Sequence, residues 1–486
     1  MGVEHEVQPC CAEGWMTGKD EERFDKRLVG AHPNPSRPTD EQVSCWWGKW
    51  GHGIAFLRGG ESCLESEVIP MSYVRALRCK ECGAEYPASS TATSCDEDFG
   101  PLEVVYDYAA MRGRVTRESI EAGPRSIWRY RDLLPVDWER AEPPTGHRSG
   151  FTPLIRADRL AKKLGVDELW IKDDSVNQPT FSYKDRVVAV ALARAVELGY
   201  ETIGCASTGN LAHSVAAHAA MAGLEACVVI PHDLEAGKIA AMKAFGARVF
   251  PIEGNYDDVN RLCTEIADRF GWGLVNVNLR PFYTEGAKTF GFEIVEQLGW
   301  KLPMHTVLPV AGGTILPKVH KAYRELVELG LVADTTARIY GAQAAGCDPV
   351  ATAVREGQAN FRPQKPKTIA KSIAIGNPAD GPYAIEVINQ TGGWAESASD
   401  DEIVAAIRLL AETEGIFTEP AGGTTLAVTK KLIESGRIPR NEPICIGITG
   451  NGLKTIEALA GAERPGARAN NPSIPARIEA FAALMQ

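Results

Sequence analysis

The chain has 486 residues, 44% of them hydrophobic, enough to bury a large core spread over several domains. Its 52 lysines and arginines against 63 aspartates and glutamates give a net charge of -11. No basic run accompanies that balance, which argues against nucleic acid as a partner, and no apolar run approaches the roughly eighteen residues of a membrane span.

The N-terminal text "MGVEHEVQPCCAEGW" has acids and a proline where a signal peptide has a basic end followed by an apolar segment, so a soluble, cytoplasmic protein is expected. Residues 1–75 are rich in polar and turn-forming residues around "SCWWGKWGHGIAFLRGG" and read as an irregular extension. Residues 76–150 form a lead-in arm, in which Cys79 and Cys82 make a C-x-x-C knuckle and Cys95 follows after twelve residues. Tetrahedral zinc needs a fourth ligand, and no cysteine or histidine follows at knuckle spacing. Asp96 or Asp98 is the available substitute, but the expectation is no metal and a plain turn at this weak candidate. The other cysteines are scattered, and Cys205, Cys227 and Cys445 fall inside apolar runs, where a reduced thiol acts as a small hydrophobe.

From about residue 150 the text becomes regular. "DELWIKDD", "TIGCAST", "EACVVIP", "ARVFPIE", "HTVLPVAGG", "RIYGAQA" and "PICIGITG" are short apolar runs followed by turns and helical patterns. Alternation of this kind predicts an α/β fold with mainly parallel sheets covered on both faces, whose ligands sit at the carboxyl ends of the strands.

The turns at those ends carry the chemistry. "TFSYKDR" puts Lys184 at the start of the helix "VVAVALARAV", where a positive charge is least favoured. A solvated lysine is the plain alternative. A partly desolvated amine there would lose its proton more readily and become a nucleophile able to form a Schiff base. "CASTGNLAHS" gathers Ser207, Thr208, Gly209 and Asn210 at a helix start, suited to a carboxylate and equally to simple capping. Ala311, Gly312, Gly313 and Thr314 form a small-residue loop after a strand, able to close backbone amides around a phosphate or merely to turn. In "GIFTEPAGGTT" a second such loop reads as packing, whereas Thr449 in "ITGNGLKT" ends the last core strand, where a hydroxyl can face whatever fills the cleft. Together these are the parts that hold pyridoxal phosphate and an amino acid.

From about 125 to 460 the chain resembles the threonine synthases, pyridoxal-phosphate enzymes of the tryptophan synthase β-like group, fold type II. The resemblance rests on "SIWRYRDLLPV", "GFTPLIRADRLAKKLG", "SYKDR", "CASTGNLAHSVAAHAAMAG", "NVNLRPFYTEGAKTFGFEIVEQLGW", "KSIAIGNPADGPYA", "AETEGIFTEPAGGTT" and "TGNGLKT", occurring in that order. It implies two doubly wound parallel-sheet domains with the cofactor between them: a large one from 151–190 and 300–486, and a smaller nested one from 191–299. It also implies roles. Lys184 carries the cofactor and moves protons; Asn210 meets the ring's phenolic oxygen; Ala311, Gly312, Gly313 and Thr314 bind its phosphate; Thr449 meets its nitrogen. Ser207, Thr208 and Gly209 receive the substrate carboxylate, while Lys238, Asn278 and Arg280 bind the substrate phosphate. The reaction implied is O-phospho-L-homoserine plus water to L-threonine plus phosphate, in a homodimer. His213, His218 and His232 read as structural or supporting residues. Phe181 stands where the family has glycine or histidine, Tyr183 where it has phenylalanine, and His213 where similar relatives have asparagine. These departures leave open a paralogue with another elimination or replacement, as in cysteate synthase.

Overall fold

The computed structural model describes residues 73–92, 94–138, 142–207, 209–232, 236–253, 256–459 and 473–484. The expectations for residues 1–72 lie outside the described residues.

Strands β1 (Val74–Cys79), β2 (Glu85–Pro87) and β3 (Leu102–Tyr106) make an antiparallel sheet in the order β2-β1-β3. In β3, Leu102, Val104 and Tyr106 are buried and the residues between them are not, the period-2 pattern of a sheet with one face on the core. Next come β4 (Leu154–Arg156) and β5 (Leu169–Asp173), which belong to a six-stranded sheet completed much later. Between its parts runs a separate four-stranded sheet of β6 (Thr202–Ala206), β7 (Glu225–Pro231), β8 (Arg248–Ile252) and β9 (Gly273–Leu274), ordered β8-β7-β6-β9 and parallel throughout. The chain then returns through β10 (His305–Pro309), β11 (Arg338–Ala344), β12 (Ala395–Ala398) and β13 (Ile444–Ile448). The large sheet is ordered β12-β11-β10-β13-β5-β4, and only the edge strand β4 runs antiparallel.

The seven apolar runs of the sequence are β5, β6, β7, β8, β10, β11 and β13. Every residue of β10 and β13 is buried, as expected for central parallel strands covered on both faces. β12 reads "AESA", without a β-branched or aromatic residue; it is a strand because β11 offers it an edge, pairing Gly341 with Ala395 through Ala344 with Ala398. Among the described residues no helix is long and apolar enough to cross a membrane.

The helix Lys184–Glu197 is buried almost continuously from Asp185 to Ala193 and packs against the helices Asn210–Ala222 and Arg280–Glu285. Its apolar circumference is that of a helix enclosed on all sides. The lysine at its first turn is therefore fixed by the core and not by a surface loop.

Candidate active site

β10, β13 and β5 are neighbours in the large sheet and run parallel, so their carboxyl ends open along one edge. β10 leads into Ala311, β13 into Thr449, and β5 into the turn that ends at Lys184. Backbone pairing stitches the last two together: Ser182 bridges Gly450, Tyr183 N donates to Thr449 O at 2.9 Å, and Asn451 N donates to Phe181 O at 3.1 Å. Three loops that lie far apart in sequence thus leave the sheet along one edge, the edge at which parallel sheets take ligands.

Lys184 is half-buried, and its Nζ donates to the Tyr283 hydroxyl at 3.0 Å, lying 5.4 Å from the Tyr183 ring centroid. Burial pushes the Tyr183 phenol well above its ordinary value, so this neighbour stays neutral. Among the described residues Lys184 forms no ion pair. The buried lysines differ: Lys172 lies 2.6 Å from Glu293, Lys288 2.9 Å from Glu325, and Lys318 2.6 Å from Glu285. An amine without a carboxylate partner is left available for chemistry. Beneath it the helix is anchored by charge: Asp185 accepts from Thr180 N at 2.9 Å and Thr180 Oγ1 at 2.6 Å. The next residue, Arg186, is buried between Asp174 and Glu293. Burial alone would raise the Glu293 carboxyl, yet Arg186 and Lys172 hold it down to about 2.

The loop after β10 has the form of an anion cradle. Gly313 adopts φ +93°, and a β-carbon there would lie 2.6 Å from the Asp380 carbonyl carbon and oxygen, so only glycine fits. Gly312 faces open space, where an added β-carbon meets no atom within 4 Å. The loop opens directly into the helix Ile315–Glu328, whose first N–H groups and dipole favour an anion. Asp380 braces it: its N donates to Gly312 O at 2.8 Å, and its carboxylate accepts from Thr314 Oγ1 and Arg280 Nη2, each at 2.5 Å. Bare backbone, a helix start, an uncommitted amine and a strand-end hydroxyl fit the phosphate, aldehyde and ring of pyridoxal phosphate. Arg280 is thereby placed beside this loop.

Asn210 begins the helix Asn210–Ala222, after β6. Its Nδ2 donates to Glu419 Oε2 at 2.8 Å, and its Oδ1 accepts from Lys454 Nζ at 2.6 Å. Glu419 is buried and fills the space beside Gly450, where a β-carbon would lie 2.4 Å from its carboxyl carbon. Burial lowers the Lys454 amine, against the attraction of Glu419 and Asp185. Ser207 Oγ accepts from Gly209 N at 3.3 Å, keeping that turn tight. Thr208 and the side chain of Lys238 lie outside the described residues. Among the described residues Asn278 is not joined to this cluster by any hydrogen bond: its Oδ1 accepts from Leu274 N at 2.7 Å, and its Nδ2 donates to Trp272 O at 2.9 Å and Tyr200 OH at 3.3 Å. His218 is fully buried behind the site, with Nδ1 2.6 Å from Thr145 Oγ1 and Nε2 3.5 Å from Asp185.

Sequence reading passed over Tyr283, Asp380, Glu419 and Lys454. The only signal for them was their place inside the motif strings "RPFYTEG", "NPADG", "TEPAGG" and "NGLKT".

Residues 147–450 match the family described as pyridoxal-phosphate dependent enzyme. The threonine synthase of Methanocaldococcus jannaschii is 39% identical over 391 residues, covering 80% of this chain and 95% of that protein. That of Mycobacterium tuberculosis is 39% identical over 335 residues, 68% of this chain and 89% of the other. Among solved structures, the processed form of threonine deaminase isoform 2 from Solanum lycopersicum superposes with a TM-score of 0.55 at 23% identity, covering 65% of this chain and 84% of that one. Serine racemase from Dictyostelium discoideum does so with a TM-score of 0.53 at 20% identity, covering 69% and 98%. Both share the fold.

Proposed function

The chain belongs to the pyridoxal-phosphate dependent enzymes, in their threonine synthase family, and from that premise we propose that it is a lyase converting O-phospho-L-homoserine and water to L-threonine and phosphate. The observation that carries this reading is the meeting of Lys184, the loop of Ala311, Gly312, Gly313 and Thr314, and Thr449 at the ends of three adjacent strands.

Pyridoxal phosphate, when bound, would store the electrons left on the substrate's carbon skeleton as protons depart. Lys184 would hold the cofactor, give it up to the substrate amine, and then serve as the base at the α-carbon and afterwards at the β-carbon. Its bond to Tyr283 OH would hold the amine in place for these steps. The backbone around Ser207, Thr208 and Gly209 would take the substrate carboxylate at the helix start. Thr449, a hydroxyl and not a carboxylate, would leave the ring nitrogen neutral. Arg280, already near the cradle, would bind the substrate's phosphate through its planar fork once released from Asp380. Asn210 would turn from Glu419 to the ring.

Incubation with O-phosphohomoserine, phosphoserine and serine, with phosphate release and product mass followed together, tests the assignment. Threonine and phosphate from O-phosphohomoserine are expected, together with loss of turnover and of the borohydride-fixable cofactor in Lys184→Ala. The second reading, a paralogue acting on another amino acid, rests on Tyr183 beside the amine and the exposed Phe181 ring. Turnover of phosphoserine or serine with none of O-phosphohomoserine would establish it instead.

A further inference from the structure

The β1–β2 turn and the segment before β3 are two copies of one local structure. In the first, Cys79 N donates to Ala84 O at 2.8 Å, Gly83 N to Cys79 O at 3.2 Å, and Glu81 N to Cys79 Sγ at 3.3 Å. In the second, Cys95 N donates to Gly100 O at 2.9 Å, Phe99 N to Cys95 O at 3.0 Å, and Glu97 N to Cys95 Sγ at 3.4 Å. Each bond links the same relative positions. The left-handed residue also recurs at the fifth position: Gly83 has φ +80°, and Phe99, though not glycine, has φ 59°. Where the first turn has Cys82 at its fourth position, the second has Asp98.

The two turns face each other. Cys82 Sγ lies 3.5 Å from Cys95 Sγ, and Cys79 Sγ lies 3.3 Å from Asp98 Oδ1, with all four ligand atoms within 4.8 Å of one another. A tetrahedral zinc ion with Zn–S near 2.3 Å would set its ligands roughly 3.5–3.8 Å apart. A disulfide between Cys82 and Cys95 would need about 2.05 Å. Amides directed at Cys79 and Cys95, with the Tyr86 hydroxyl 3.3 Å from Cys95 Sγ, supply the outer hydrogen bonds that orient thiolate ligands.

We propose that Cys79, Cys82, Cys95 and Asp98 bind one divalent cation of the zinc class in a closed, tetrahedral, structural site. Four protein ligands leave no open position for chemistry. The fourth ligand is Asp98, not Asp96: the Asp96 amide is bound to Tyr86 OH at 2.7 Å, and its carboxylate is outside the ligand group. The site clasps the lead-in sheet close to the cofactor cradle. Lys80, inside the first turn, stacks 3.4 Å from the Tyr383 ring centroid, and Glu81 accepts from the Tyr383 hydroxyl. Tyr383 lies in the helix Gly381–Gln390, which begins just after Asp380.

Elemental analysis of the full chain, purified without chelator, tests this directly, with about one zinc per chain expected. Release of that zinc by a thiol-specific mercurial, read with a colorimetric chelator, is expected too, as is a thiolate-to-metal absorption band on cobalt substitution. Asp98→Ala should weaken zinc binding at least tenfold, Asp98→Cys should retain or strengthen it, and Asp96→Ala should leave it unchanged. The wild-type measurements stand even if a variant fails to fold. Metal-free protein that takes up no zinc on reconstitution, or a Cys82–Cys95 disulfide found by mass spectrometry of the unreduced chain, would overturn the proposal.

Discussion

Phe181 holds φ 58°, a backbone conformation in which a β-carbon costs roughly 1–2 kcal/mol, and the residue is 47% exposed. A backbone of this kind suits glycine, so the phenylalanine here is strained. Phe181→Gly relieves that strain but adds about 1 kcal/mol of unfolded-chain entropy, so stability is expected to stay within about 1 kcal/mol of wild type. A loss above about 2 kcal/mol in urea melts would mean that the ring packs after all. Arg280 gives a sharper test of substrate class. If it binds the substrate's phosphate, Arg280→Lys, which keeps the charge and loses the fork, should raise KM for O-phosphohomoserine about tenfold or more with kcat little changed. An unchanged KM would remove Arg280 from the phosphate site. Lys184 could be singled out from the linear text by its place at a helix start beside two aromatic residues, and Arg280 only through the family resemblance. Glu419 and Lys454 could not, since what marks them is contact with Asn210, more than 200 positions away.

At the level of the loop and the helix, the cradle depends on Gly313 because of the chain that crosses it. Gly313→Ala forces a β-carbon into the Asp380 backbone at 2.6 Å and keeps a positive φ, so a cost of about 2 kcal/mol or more is expected in the cofactor-free protein. Gly312→Ala, whose β-carbon would meet nothing, is expected to cost less than about 1 kcal/mol by the same urea measurement. Equal losses would show that the crossing at Asp380 is not what fixes the loop. The apolar period marked the strands that feed the site, but their neighbours in the sheet were not legible. β12 shows why: four small or polar residues become a strand only because an edge is offered to them.

Across the whole molecule, Lys172, Asp174, Arg186 and Glu293 form a buried charge cluster that ties β5 to the lysine-bearing helix. Glu293 sits at about 2 in the fold against an ordinary 4.5. A depressed carboxyl contributes stability that is fully present above the unfolded value and is lost as pH falls through the folded one. Urea midpoints are therefore expected to fall steeply between about pH 4.5 and 2, while changing little from this group above that window. Glu293→Gln leaves two cations with one carboxylate, and breaking such a buried pair costs about 3–5 kcal/mol; if the variant is as stable as wild type at neutral pH, the cluster is not what anchors the helix. By itself the sequence determined the α/β alternation and the apolar strands, and it singled out Lys184 as the candidate lysine, because periodicity and short motifs are local properties of the chain. Tertiary structure alone decided which strands lie side by side, which carboxylates pair with which cations, and that Asp98 stands with the three cysteines. Those depend on contacts between positions tens to hundreds of residues apart, which linear spacing does not encode.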